Sequence, residues 1–156
     1  MSVGKYLFQL KEVEERPILA IRVSTKPGRI GNELQEILPE VWNYAKGVGA
    51  TLAGPPFTMY HKMESDEVEI EAGMQLTESR EGEGEIRSGT LPAGKVASTV
   101  HMGSYENLPD AYRALENWIR EQNLKPASPP WEVYVTDPGT VENPDEWRTE
   151  ILWPVE

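Results

Sequence analysis

Gly54-Pro55-Pro56-Phe57-Thr58-Met59-Tyr60 and Ser128-Pro129-Pro130-Trp131-Glu132-Val133-Tyr134 follow one pattern: a small residue, two prolines, an aromatic, any residue, an apolar residue and a tyrosine. The two copies lie 74 positions apart. Adjacent prolines exclude helix and regular sheet pairing, so in each copy a strand starts at the aromatic residue. A Pro-Pro pair alone carries little weight, but the same order of elements surrounds both copies. Before the first, Ile18 to Ser24 is β-prone and Lys26-Pro27-Gly28 breaks it. Ile30, Leu34, Ile37, Leu38, Val41 and Ala45 then recur at spacings of three and four, the stripe of an amphipathic helix, with Gly47 and Gly49 as stops. Before the second copy, Lys95 to Met102 reads as a strand and Gly103-Ser104 ends it. Leu108, Ala111, Tyr112, Leu115, Trp118, Ile119 and Gln122 repeat the helical spacing, with Asn107 as a cap, Pro109 in the first turn and Asn123 as a stop.

The same correspondence continues downstream. Val68 to Leu76 alternates almost strictly, the strongest strand signal in the chain. After the second copy come a turn at Asp137-Pro138-Gly139, a polar loop to Glu146 and a last strand from Trp147 to Val155. Thr77 to Gly94 is rich in Glu, Gly and Ser and reads as a linker with one weak edge strand. Trp42 and Trp118, inside the two helices, stand 76 positions apart and are expected to pack helix against sheet. The chain is thus an α+β duplication of strand, helix, strand, strand, whose halves at roughly 1–80 and 90–156 form one domain over residues 1–156 and pair into a larger antiparallel sheet under two principal helices.

The chain has 156 residues, 15 basic against 26 acidic, a net charge of −11, and no cysteine. Disulfides, thiolate metal sites and a cysteine nucleophile are excluded. The longest aliphatic run, Ile18 to Ile21, is far short of the roughly 20 residues a membrane helix needs. The acidity repels a phosphate backbone, so no direct nucleic-acid partner is expected, and a cationic or neutral ligand is accommodated more easily. With two histidines, His61 and His101, and no metal or nucleotide motif, neither a metal nor a cofactor is expected. His101 fits a buried or capping role better than a haem ligand.

Five Trp and six Tyr against two Phe is a skewed aromatic set, since indoles and phenols carry polar tips that a plain core does not require. Alternation in Trp131 to Thr136 puts Trp131, Val133 and Val135 on one face and Glu132, Tyr134 and Thr136 on the other. If the apolar set packs on a helix, Glu132 and Tyr134 point together onto the opposite face, and Tyr60 holds the repeated position. Two tyrosines flanking a carboxylate suit a flat or cationic ligand. Glu71 and Glu150 fall at comparable positions in the closing strand of each half. Trp153 alternates away from Glu150. Met59 and Met102 can line an adaptable cavity, and Tyr105 can close one end of a groove.

His101-Met102-Gly103-Ser104-Tyr105-Glu106-Asn107-Leu108 through Ala111-Tyr112, Leu115 and Trp118, then Trp131 to Pro138 and Trp147 to Val155, resembles the gyrase-inhibitory-protein-like small-molecule-binding domain, which is also the effector-binding portion of multidrug-responsive bacterial transcription activators. The resemblance implies a curved, mainly antiparallel sheet of about eight strands with two helices and a central groove. That groove takes hydrophobic, often cationic aromatic compounds against a buried glutamate. The matching glutamate is Glu132, with Glu150 as second choice, and Tyr60, Tyr105, Tyr134 and Trp153 as wall residues.

The first strand is expected near residue 3 or 18, which leaves no room for a helix-turn-helix and implies a stand-alone cytoplasmic binder for sensing or sequestration. Some members of the family resemble hydrolases of cyclopropane-bearing electrophiles, so a hydrolase in which Glu132 activates water is one alternative. An acidic protein-interaction module is another.

Overall fold

The computed structural model describes residues 6–137 and 140–156, so Pro138 and Gly139 of the expected turn lie outside the described residues. Two compact units emerge. One comprises Glu14–Ala93; the other, called here the terminal unit, comprises Met1–Val13 and Gly94–Glu156.

In the 14–93 unit, β2 (Arg16–Thr25), α1 (Ile30–Gly47), β3 (Phe57–Met63) and β4 (Val68–Gln75) follow in chain order, and β5 (Arg87–Leu91) adds an edge. The strands lie in the order β3, β4, β2, β5, each pairing antiparallel. Ile37, Val41 and Ala45 of α1 cover Leu19, Ile21, Ala72 and Met74 on one face of this sheet. Gly73 is required where β4 passes β2, because a Cβ there would run into the backbone of Leu19 and Ala20.

The terminal unit repeats this plan with β6 (Gly94–Met102), α2 (Leu108–Glu121), β7 (Trp131–Tyr134) and β8 (Arg148–Pro154). Its edge strand is β1 (Phe8–Val13), from the start of the chain. The order is β7, β8, β6, β1, again antiparallel throughout. Each unit is therefore a β-α-β-β repeat plus one edge strand. The expected class stands: α+β, antiparallel, with eight strands and two principal helices among the described residues.

Leu108, Ala111, Leu115 and Ile119 of α2 pack on Ala97, Ile151 and Val155. Burial of each large aliphatic side chain contributes about 1.5–3 kcal/mol. Asn107 occupies the N-cap without a side-chain cap hydrogen bond, while Pro109 and Asp110 fill the first turn as that position favours. Asn123, at φ 60°, closes the helix.

Burial corrects the proposed equivalence of the tryptophans. Ile37, Val41 and Ala45 correspond to Ala111, Leu115 and Ile119 at an offset of 74, the offset of the Pro-Pro strands. Tyr44 is thus the counterpart of Trp118. Trp42 is 44 % exposed and lies under the Lys46 ammonium rather than in the core. Trp118 stacks on Phe8 at 5.4 Å, which ties β1 to α2.

A buried carboxylate between two tyrosines

Strand pairing fixes which side chains share a face. Glu132 stands opposite Ile151, and Tyr134 opposite Thr149. Ile151 belongs to the α2 cluster, so Glu132 and Tyr134 point toward the helix, while Trp131 and Val133 point away. This reverses the expected facing. The reason is visible in β7, where all four residues are buried, so that alternation of residue type no longer distinguishes a covered face from an open one.

Glu132 is 2 % exposed. Tyr134 donates its hydroxyl to Glu132 Oε2 at 2.6 Å, and Tyr112 of α2 donates to Oε1 at 2.7 Å. Both bonds have the short length of a hydroxyl bound to a charged acceptor. One donor comes from the strand and the other from the helix, so the carboxylate is held between two elements.

Each donor is backed by a further ring. Trp153, on the same face of β8 as Ile151, meets Tyr112 edge-on at 6.1 Å. Tyr105 packs against Tyr134 at 5.7 Å and against Trp147 at 4.9 Å. The phenol of Tyr105 is pushed up to about 12, by burial first and then by the charges of Glu132 and Asp137. It remains a neutral hydroxyl across the physiological range.

Tyr105 is placed by the turn before α2. Gly103 adopts φ 127°, a region favourable to glycine, and its N–H donates to the Trp147 carbonyl at 2.8 Å. His101 is fully buried beneath that turn. A carbonyl can only accept, so Nε2–H of His101 donates to Ser104 O at 3.0 Å, and the Tyr6 hydroxyl meets Nδ1 at 3.2 Å. His101 has the buried role its sequence context suggested.

Glu150 and Met102 lie away from the Glu132 carboxylate. Glu150 points to the opposite face from Glu132, where it pairs with Lys11 at 2.5 Å and accepts from Ser98 at 2.8 Å. Met102 is exposed and shares a shallow, open cleft with Val135, Val141 and Arg148; Glu132 does not line that cleft. Tyr60 and Met59 belong to β3 of the 14–93 unit, on opposite faces of its sheet. There Glu71, the counterpart of Glu150, meets His61 Nε2 at 2.7 Å.

Tyr112 and Trp147 complete the constellation, and neither was singled out as a site residue. The signal for Tyr112 is a phenol inside an otherwise apolar helical stripe, since its hydroxyl must find a partner on the sheet. Among the described residues, no group of three or more metal-ligating side chains occurs. No helix among the described residues is long and apolar enough to cross a membrane.

The duplicated β-α-β-β fold is the kind shared by a family of small-molecule-binding domains. The chain belongs to the family of GyrI-like small molecule binding domains, which matches residues 8–156. It is similar to the C-terminal domain of EcmrR, with 26 % identity, a TM-score of 0.88, and coverage of 97 % of this chain and 98 % of that one. It also matches EcmrR in a DNA complex, with 25 % identity and a TM-score of 0.87. That match covers all of this chain but 59 % of the EcmrR chain. These likenesses place it with the effector-binding domains of multidrug-responsive regulators, as the sequence resemblance implied. SAV2435, bound to tetraphenylphosphonium, shares the fold, with 15 % identity, a TM-score of 0.58, and coverage of 96 % and 94 % of the two chains. No curated protein sequence matches the chain.

Proposed function

We propose that the chain binds hydrophobic aromatic small molecules, cationic ones above all, at Glu132 and its surrounding rings, for sensing or sequestration. The observation that carries this reading is the carboxylate itself, 2 % exposed and receiving a tyrosine hydroxyl on each oxygen. Burying a charge costs several kcal/mol, and an apolar side chain at that place generally gives an equally stable fold. Two phenols devoted to one carboxylate are therefore better explained by what the charge attracts than by what it stabilises.

Membership in a small-molecule-binding family supports the coarser part of the proposal. The finer part rests on chemistry. Both oxygens already accept hydroxyls, so a ligand is drawn by net charge and by ring faces more than by new hydrogen bonds, which suits a delocalised aromatic cation. Titration of the intact chain with a panel of cationic and neutral dyes, read through tryptophan fluorescence, tests the reading. Saturable quenching by the cationic dyes at lower concentrations than by neutral ones of similar shape is expected. Indifference to every dye overturns it.

A further inference from the structure

The two phenols that bind Glu132 are braced from opposite ends of β8, and the braces differ. Trp153 is packed into the α2 cluster and touches Tyr112 directly. Trp147 stands at the entrance to β8 and reaches Tyr134 through Tyr105. It is anchored three times outside the core: its indole Nε1 donates to the Val141 carbonyl at 2.7 Å, its backbone N–H donates to the Pro144 carbonyl at 3.1 Å, and its own carbonyl accepts from Gly103 at 2.8 Å.

Gly103 and Ser104 form the turn that delivers Tyr105, and His101 holds the Ser104 carbonyl from below. Tyr105 is therefore fixed at its backbone by the Trp147 and His101 contacts and at its ring by neighbours on both sides. A ring flanked in this way changes rotamer only by giving up one neighbour. Tyr105 keeps its place as long as Trp147 does.

Resting on the reading that Glu132 draws the ligand, we propose that Trp147 is a specificity-determining residue of this site: by pinning Tyr105 against Tyr134 it keeps the aromatic wall rigid, and so favours flat aromatic cations over propeller-shaped ones. A fixed wall offers an ordered face for stacking, and stacking of a planar ligand loses most when that face becomes mobile. A ligand with twisted rings gains from the same mobility because the wall can yield to it.

The test uses rhodamine 6G as the flat probe and tetraphenylphosphonium as the propeller-shaped one, each titrated calorimetrically into the full chain and into W147L, W147F and E132Q. W147L is expected to shift the ratio of the two dissociation constants toward tetraphenylphosphonium by about three- to tenfold, the size of one aromatic pair. W147F keeps a ring beside Tyr105 but lacks the Nε1 anchor, and is expected to shift the ratio less, in the same direction. Equal weakening of both probes, or no change, in W147L overturns the proposal. Should W147L fail to fold by circular dichroism, W147F decides, and an unchanged ratio there is equally fatal. E132Q is expected to weaken both cations alike and leave the ratio intact. Wild-type affinity in E132Q defeats the carboxylate reading alone, and a wild-type chain that binds neither probe defeats both.

Discussion

Tyr112 crosses from α2 to give its hydroxyl to Oε1 of Glu132 at 2.7 Å, so the helix is fastened to the sheet at a charge as well as through apolar packing. The Leu108, Ala111, Leu115 and Ile119 stripe supplies the adhesion. The hydroxyl fixes where along the helix the carboxylate sits.

Tyr112→Phe removes one hydroxyl donor from a buried carboxylate. A loss of about 1–3 kcal/mol in stability is expected from denaturant unfolding. Tyr134→Phe is expected to cost a similar amount, and the double variant less than the sum, because both changes act on one carboxylate. Strict additivity would show that the hydroxyls do not share a charged acceptor.

The pH dependence of Tyr105 has a definite sign. Its folded value is pushed above the ordinary 10 to about 12, so the phenol keeps its proton in the folded chain after it has lost it in the unfolded one. The stabilisation is complete below pH 10 and is lost as pH rises through about 12. In an alkaline spectrophotometric titration, one late-ionising tyrosine is expected to disappear in Tyr105→Phe. Loss of an early-ionising group instead would contradict the account.

Thr149 stands opposite Tyr134 on the Glu132 face, fully buried, and its hydroxyl oxygen has no hydrogen-bond partner among the described residues. Thr149→Val keeps the shape and removes the unmet polar group. Stability is expected to stay level or rise by about 1 kcal/mol, measured as a shift in denaturant midpoint. A clear drop would mean that the hydroxyl has a partner in solution.

In the 14–93 unit, Gly73→Ala places a methyl group against the β2 backbone, which cannot move aside without breaking the ladder. A cost above about 3 kcal/mol is expected from thermal or chemical unfolding, among the larger single-residue effects. A near-neutral result would show that β2 and β4 are farther apart than described.

Much of this architecture could be read from residue order. The Pro-Pro punctuation located β3 and β7, and helical spacing located α1 and α2 to within a few residues. The N-terminal strand was harder, because Phe8–Val13 mixes exposed and half-buried residues and pairs with β6, far along the chain. Glu132 and Tyr134 were legible as a pair through the Glu-x-Tyr spacing, yet their facing was not. In a strand buried on both sides, only the pairing of Glu132 with Ile151 reveals which side carries the helix. Tyr112 was hidden for a related reason: a tyrosine in an apolar stripe looks like core until the carboxylate beneath it is known. Trp147 acts through Tyr105, and periodicity within β8 carries no trace of that contact.

The central claim is that the charge of Glu132 draws the ligand. Its most direct test compares tetraphenylphosphonium with uncharged triphenylphosphine oxide, each titrated calorimetrically into the wild-type chain and into Glu132→Gln. The account predicts that the substitution weakens the cation about tenfold or more, some 1.4 kcal/mol, and changes the neutral compound by less than about twofold. Equal effects on both compounds would contradict it.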